Sequence, residues 1–297
     1  MSTTFYCPST GTAPISPSDH SSWDRTGSSF SRKLGVKTAI SSSMTTVSIG
    51  TTSSASQTSS AYQWVYGPLE GASISGTCSC DVRGKATTFI NLFFARVAIW
   101  IAKPDGTSRG TLYSPNSSHN NSDWSTSFST YNSNVSLSSV TATSGDYLVY
   151  EVGQCREAFV DSDSSAVEIG DSNSGTRMEF VFSSNSINFW APAGLSYSND
   201  NQKIRLGNAI TAMAASSTGG PIASYAIQTG ALPSGVTLNT STGEITGTPT
   251  QKGIYTFTVR ATNEGGTTDT STLTITVYSG NSIRYDRLTS IEVQIGG

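Results

Sequence analysis

Of 297 residues only 12% are charged, roughly half the usual share for a soluble globular chain, and the formal net charge is −3. That balance excludes the basic field that grips a nucleic-acid backbone or an anionic membrane, and the two histidines are too few for a multi-histidine metal site. Serine and threonine supply roughly a third of the chain, and residues that favour pleated strands outweigh the stock of long helices, so composition reads as all-β.

Residues 1–60 form a Ser/Thr-rich lead-in punctuated by Pro8, Pro14, Pro17, Trp23 and Phe30, and extended segments and loops are expected there. The opening residues show neither a basic n-region nor an apolar h-region, so the expectation is cytosolic synthesis without an export signal. Tyr62, Trp64 and Tyr66 alternate as a half-buried strand does, ending at Gly67-Pro68. Ile74, Gly76, Cys78, Cys80 and Val82 keep the same period of two, which puts both cysteines on one face. A Cys-x-Cys pair without a second pair is a weak zinc motif, so Cys7, Cys78, Cys80 and Cys155 read as reduced thiols. The run from Phe89 to Ala102 is apolar on both faces, as in a strand buried from both sides, and is too short to span a bilayer as a helix.

Lys103-Pro-Asp-Gly106 is a turn, with proline setting φ and glycine supplying positive φ. The polar segment Ser114 to Ser139 reads as a long loop or loosely paired strands. Tyr147 to Gly153 and Arg177 to Phe182 read as strands flanking an acidic stretch with Glu157, Asp161, Asp163, Glu168 and Asp171. Many short strands over this length predict a jelly-roll-like β-sandwich at residues 1–192. From residue 193 the texture changes. Phe257, Val259 and Ala261 alternate with threonines and Arg260, and after the Asn263-Glu-Gly-Gly266 turn Leu273, Ile275 and Val277 do the same. A hairpin with a dry face and a threonine face predicts an immunoglobulin-like β-sandwich at residues 193–278. Residues 279–297 form a tail in which Ile291, Val293 and Ile295 alternate with Glu292 and Gln294. A lone strand does not hold itself in water, so the tail is expected to dock on the first unit or on a partner.

The series Leu232-Pro-Ser-Gly-Val236, Gly243-Glu-Ile245-Thr-Gly-Thr-Pro249 and Gly253-Ile-Tyr255-Thr-Phe-Thr-Val259 resembles the Putative Ig domain family, a cadherin-like sandwich. The resemblance implies a spacer or adhesive module with no catalysis. The pieces Thr4-Phe-Tyr, Pro8-Ser-Thr-Gly11, Trp23, Pro104-Asp-Gly-Thr-Ser-Arg-Gly-Thr-Leu112 and Gly145-Asp-Tyr-Leu-Val-Tyr-Glu-Val-Gly153 are similar to an N-terminal domain of tailed-phage structural proteins. That resemblance implies a virion protein whose partners are the major capsid or tail proteins. Assembly as a homo-oligomer, most simply a trimer, is expected from how such surfaces are built, and host-surface glycans are a further candidate partner.

For chemistry, no nucleophile elbow of a serine hydrolase is recognised, and His119 sits in a polar loop. A glycosidase needs two facing carboxylates; Glu151, Glu168 and Glu179 are candidates, but each reads as an ordinary outward-facing strand residue. Asp161-Ser-Asp163 opens like a calcium loop and then fails, with Ala166 where glycine is needed and Ser172 where glutamate is needed. Trp124, flanked by Asn120 and Asp123, is the glycan-contact candidate, since an exposed indole stacks on sugar C–H faces; Trp64, Trp100 and Trp190 read as core. The sequence therefore predicts a non-enzymatic virion structural protein without cofactor or metal. A capsid decoration role is favoured, and a tail-fibre or baseplate adhesion protein or a carbohydrate-binding surface module is the alternative.

Overall fold

The computed structural model describes residues 2–36, 45–50, 58–86, 93–114, 127–156, 165–169, 179–183 and 187–279. The chain divides at Trp190 into two compact units. Every regular element among the described residues is a strand.

The first unit runs β1 (Thr3–Tyr6), β2 (Arg25–Leu34), β3 (Thr45–Gly50), β4 (Thr58–Tyr66), β5 (Ser73–Ala86), β6 (Phe93–Ala102), β7 (Ser108–Tyr113), β8 (Ser129–Thr141), β9 (Tyr147–Arg156), β10 (Ser165–Ile169) and β11 (Glu179–Phe182). One sheet has the order β1-β11-β5-β10-β3, with β8 also paired to β5; the other has the order β2-β4-β9-β6-β7. Side chains of both sheets meet in one core: Phe5, Cys78, Cys80 and Val82 from the first, Trp64, Tyr66, Ile99, Tyr150 and Val152 from the second. This is the sandwich that alternation predicts.

The extended segments expected in the lead-in are strands of both sheets, β1 and β3 in one and β2 in the other. Two local expectations are corrected. The second half of the segment expected to be loop or loosely paired is the long strand β8, whose register with β5 runs from Ser129↔Gly84 to Thr141↔Ser73. Its serines and asparagines lie largely exposed or half-buried on a strand that needs few apolar residues beyond Val135 to hold it to the core. Finally, β4 is not half-buried: all nine residues are buried.

The reason lies on the outer face of the second sheet. There Val65, Ala98, Trp100, Ala102, Tyr147 and Val149 form a second apolar layer closed by Trp23, Ala13 and Ile15 of the N-terminal segment. The sheet is thus covered twice, by the first sheet on one face and by residues 13–24 on the other. Cys7, Cys78, Cys80 and Cys155 are buried free thiols, and the sulfurs of Cys78 and Cys80 lie 3.7 Å apart on the shared inward face.

The second unit contains β12 (Ser196–Tyr197), β13 (Asn201–Arg205), β14 (Ala215–Ser216), β15 (Ser224–Gly230), β16 (Val236–Leu238), β17 (Ile245–Gly247), β18 (Gly253–Asn263), β19 (Gly266–Asp269) and β20 (Leu273–Tyr278). Its main sheet has the order β13-β20-β18-β15, with β19 also on β18, and β12-β14 and β16-β17 form small pairs. Phe257, Val259, Ala261, Leu273, Ile275 and Val277 all enter its core, as the dry face requires. The expected hairpin is broken on its return: β19 pairs with the far end of β18 and β20 with the near end. Between them Thr270 replaces the ladder, its N–H donating to the Val259 carbonyl at 2.9 Å and its hydroxyl accepting from the Val259 N–H at 3.0 Å. Gly243 turns the chain at φ +75°, and a Cβ there would lie 2.7 Å from the Tyr225 ring, so glycine serves both the turn and the packing.

Candidate functional site

The register of the second sheet places Gln63, Glu151 and Ala98 side by side across β4, β9 and β6. Strand parity points this row away from the inter-sheet core, toward residues 13–24. Glu151 is therefore not the outward, solvated residue expected; it is fully buried under the N-terminal segment.

Four N–H groups converge on its carboxylate. The Trp23 indole donates to Oε2 at 2.5 Å, the Gln63 amide to Oε1 at 2.7 Å and the Trp100 indole to Oε1 at 3.2 Å. The His20 backbone N–H lies 3.1 Å from both oxygens. Burial raises the Glu151 carboxyl to about 7, and it would stand higher but for these hydrogen bonds from Gln63, Trp23, His20 and Trp100. A supporting ring of contacts fixes the donors. Arg32 Nε donates to the Gln63 side-chain Oε1 at 2.8 Å and to the Pro17 backbone carbonyl at 2.7 Å, and Asp19 accepts from the Ser60 and Thr26 hydroxyls at 2.9 and 2.6 Å. Glu151 is a clasp: one carboxyl gathers two indoles, an amide and a backbone N–H from three chain segments, the N-terminal segment, β4 and β6.

Gly153, two residues on, lets the clasp close. A Cβ there would sit 2.0 Å from the Ser59 carbonyl oxygen and 2.8 Å from the Trp23 ring.

Beside the clasp lies a pocket of about 320 Å³ formed by residues 18–21, Trp100 and residues 106–108. His20 and Trp100 are among its lining residues, both buried, with ring centroids 5.8 Å apart and edge to face. Burial lowers the His20 imidazole, against a smaller upward pull from Asp19. His20 Nδ1 accepts the Ser22 N–H at 3.2 Å, which leaves the proton of the neutral ring on Nε2, 2.6 Å from the Thr111 hydroxyl.

One spacing was missed in the sequence. Gly106-Thr-Ser108-Arg-Gly110 has the Gly-x-Ser-x-Gly pattern, and Ser108 lies in the same pocket as His20 and Asp19. The pattern spans the β6–β7 turn, not a strand-to-helix elbow. The imidazole also has the wrong tautomer for a base, since its unprotonated nitrogen is taken by Ser22 and its N–H already faces Thr111. Proximity of serine, histidine and aspartate does not make a relay here.

The other sequence candidates are placed as follows. Trp124, Asn120, Asp123 and His119 lie outside the described residues, as do Asp161, Asp163 and the tail residues Ile291, Val293 and Ile295. Glu168 and Glu179 fall in β10 and β11 of the other sheet, so neither shares a sheet with Glu151. Trp64 and Trp100 are buried, and Trp190 is half-buried. Among the described residues no three potential ligands cluster as a metal site.

The second unit, one dry face against its small strand pairs and one threonine face, is an Ig-like sandwich. Residues 191–278 match the Putative Ig domain family. No curated protein matches the chain. Among solved structures it is similar to a CocE/NonD family hydrolase from Staphylococcus aureus, with a TM-score of 0.36 and 9% identity over 61% of this chain and 36% of the hydrolase. The chain thus spans about a third of that enzyme's length.

Proposed function

We propose that the chain is a non-enzymatic structural protein of a tailed-phage particle, a decoration protein of the head that displays an Ig-like domain. The observation that carries its non-enzymatic character is the state of Glu151. A carboxyl raised to about 7 is what a general acid requires, yet this one is sealed from solvent and filled by four N–H donors. It ties the N-terminal segment to a sheet. The motifs of the first unit that resemble tailed-phage structural proteins supply the particle, and the Ig-like match supports a displayed spacer or adhesive module. Attachment to the shell rests on apolar and backbone contacts, because charge is too sparse for ion-pair networks.

Mass spectrometry of purified particles tests this reading, with copy number scaled to the major shell protein. A copy number comparable to that of the shell protein is the expected result. A handful of copies would move the protein to the tail tip, and absence from particles would overturn the proposal.

A further inference from the structure

The Ig-like sheet has an open flank. β13 is paired along one side, to β20. In that parallel ladder the Asp200 carbonyl accepts from the Thr274 N–H and the Leu206 N–H donates to the Tyr278 carbonyl, each at 2.9 Å. The backbone groups of Gln202 and Ile204 therefore face β20 as well, and those of Asn201, Lys203 and Arg205 point the other way. Of the latter, only the Arg205 carbonyl has a backbone partner among the described residues, the Asn208 N–H at 3.0 Å. Side chains mark the same flank as unfinished. Ile204 packs on the core yet is only half-buried, and Leu206, directly after β13, is 37% exposed. An unpaired edge of this kind invites another strand.

Charge narrows what that strand can be. Lys203 and Arg205 stand exposed on the edge, so a second copy offering the same edge would bring like charges together. The segment 291–295 carries the opposite sign, with Glu292 as its one ionised residue. Its alternation also fits. With Glu292 and Gln294 on the wet face beside Lys203 and Arg205, residues Ile291, Val293 and Ile295 fall on the dry face beside Ile204. The chain path allows this. β20 ends at Tyr278, paired with Arg205 at the end of β13, so a strand returning from there runs antiparallel to β13. It must lie two strand spacings, about 10 Å, from β20. Residues 279–290 reach about 40 Å when extended, and so short a tether gives a millimolar effective concentration.

We propose that residues 291–295 add to the free edge of β13 in their own chain as an antiparallel strand, closing the Ig-like sheet against edge-to-edge association. The docking concerns the Ig-like unit alone, so the particle measurement above neither supports nor removes it.

Amide hydrogen exchange of the full chain, followed by NMR, is the test. Whether Glu292 sits opposite Lys203 or Arg205, the Lys203 N–H is bonded to the added strand. It should exchange at least about tenfold more slowly in the parent than in Val293→Asp, which puts a charge in the dry row. Gln294→Pro, which removes a donor to β13, should speed it to the same degree. The Val259 and Ile275 amides, inside the sheet, should stay protected throughout and so report that the sandwich is folded. Equal exchange at Lys203 in parent and variants overturns the proposal. So does protection that fades as the protein is diluted, because the tail would then be serving a second copy.

Discussion

The two units use their central strands in opposite ways. In the Ig-like sheet the outer faces of β18 and β20 stay in water: Lys203, Thr276 and Ile254 form one row, Asn201, Thr274 and Thr256 the next, and Ile254 is 74% exposed. In the first unit, the equivalent outer face of β4, β9 and β6 is hidden beneath residues 13–24, with Val65, Val149 and Ala98 fully buried. A sheet wetted on one side needs only alternation. A sheet covered on both sides must also satisfy any polar group it keeps, and that is what the Glu151 clasp does.

The largest expected effect comes from removing the clasp. Glu151→Ala leaves two indole N–H groups, an amide and a backbone N–H buried without their acceptor, and a cost of about 4 kcal/mol is expected. Chemical denaturation should show that loss confined to the transition of the first unit, with the Ig-like transition unmoved. Gly153→Ala follows at about 3 kcal/mol, since its Cβ collides with backbone and not with a yielding side chain. If both variants melt like the parent, the N-terminal segment is not a structural layer.

The clasp also makes the comparison depend on pH. Glu151 has a folded value of about 7 against an ordinary 4.5, so between those limits the folded chain holds a proton that the unfolded chain releases. Its contribution is fully present below about pH 4.5 and is lost as pH rises through 7, about 3 kcal/mol in all. His20 works against it: lowered from 6.5 by burial, the folded ring refuses a proton that the unfolded ring accepts, so stability falls as pH drops below 6.5. The first unit should therefore gain stability from pH 8 to about 6.5 and then level off. In Glu151→Gln the gain should vanish and only the His20 decline remain. A parent whose melting temperature is flat across this range would show that the carboxyl is not held near neutrality.

The same contrast decides what was legible in the sequence. The Ig-like strands could be read because water marks one face of each with threonine, and the alternation of Phe257, Val259 and Ala261 carried directly into the core. On β9, Glu151 occupied a position that alternation assigns to solvent, and nothing local signals that Trp23, 128 positions away, covers it. The pocket was hidden for the same reason, since residues 18–21 and 106–108 meet only through the fold. Ser108 had a visible signal in its flanking glycines, but the spacing alone would have suggested a nucleophile that the His20 tautomer does not support.

A matched pair of substitutions isolates that difference at its smallest. Val65 and Ile254 both stand on the outer face of an interior strand, and replacing each with threonine puts a hydroxyl where a methyl or ethyl group stood. At Val65, fully buried against the N-terminal layer, the hydroxyl loses water without an assigned partner and should cost about 1–2 kcal/mol. At Ile254 it joins a face already made of Thr256 and Thr276, so the change should stay within about 0.5 kcal/mol. Equal costs at the two sites would mean either that residues 13–24 do not seal the first sheet or that the exposed isoleucine is buried in the native assembly. Hydrogen exchange at the flanking amides separates these outcomes, because protection around Val65 reports the layer and protection around Ile254 reports a contact made by the Ig-like face.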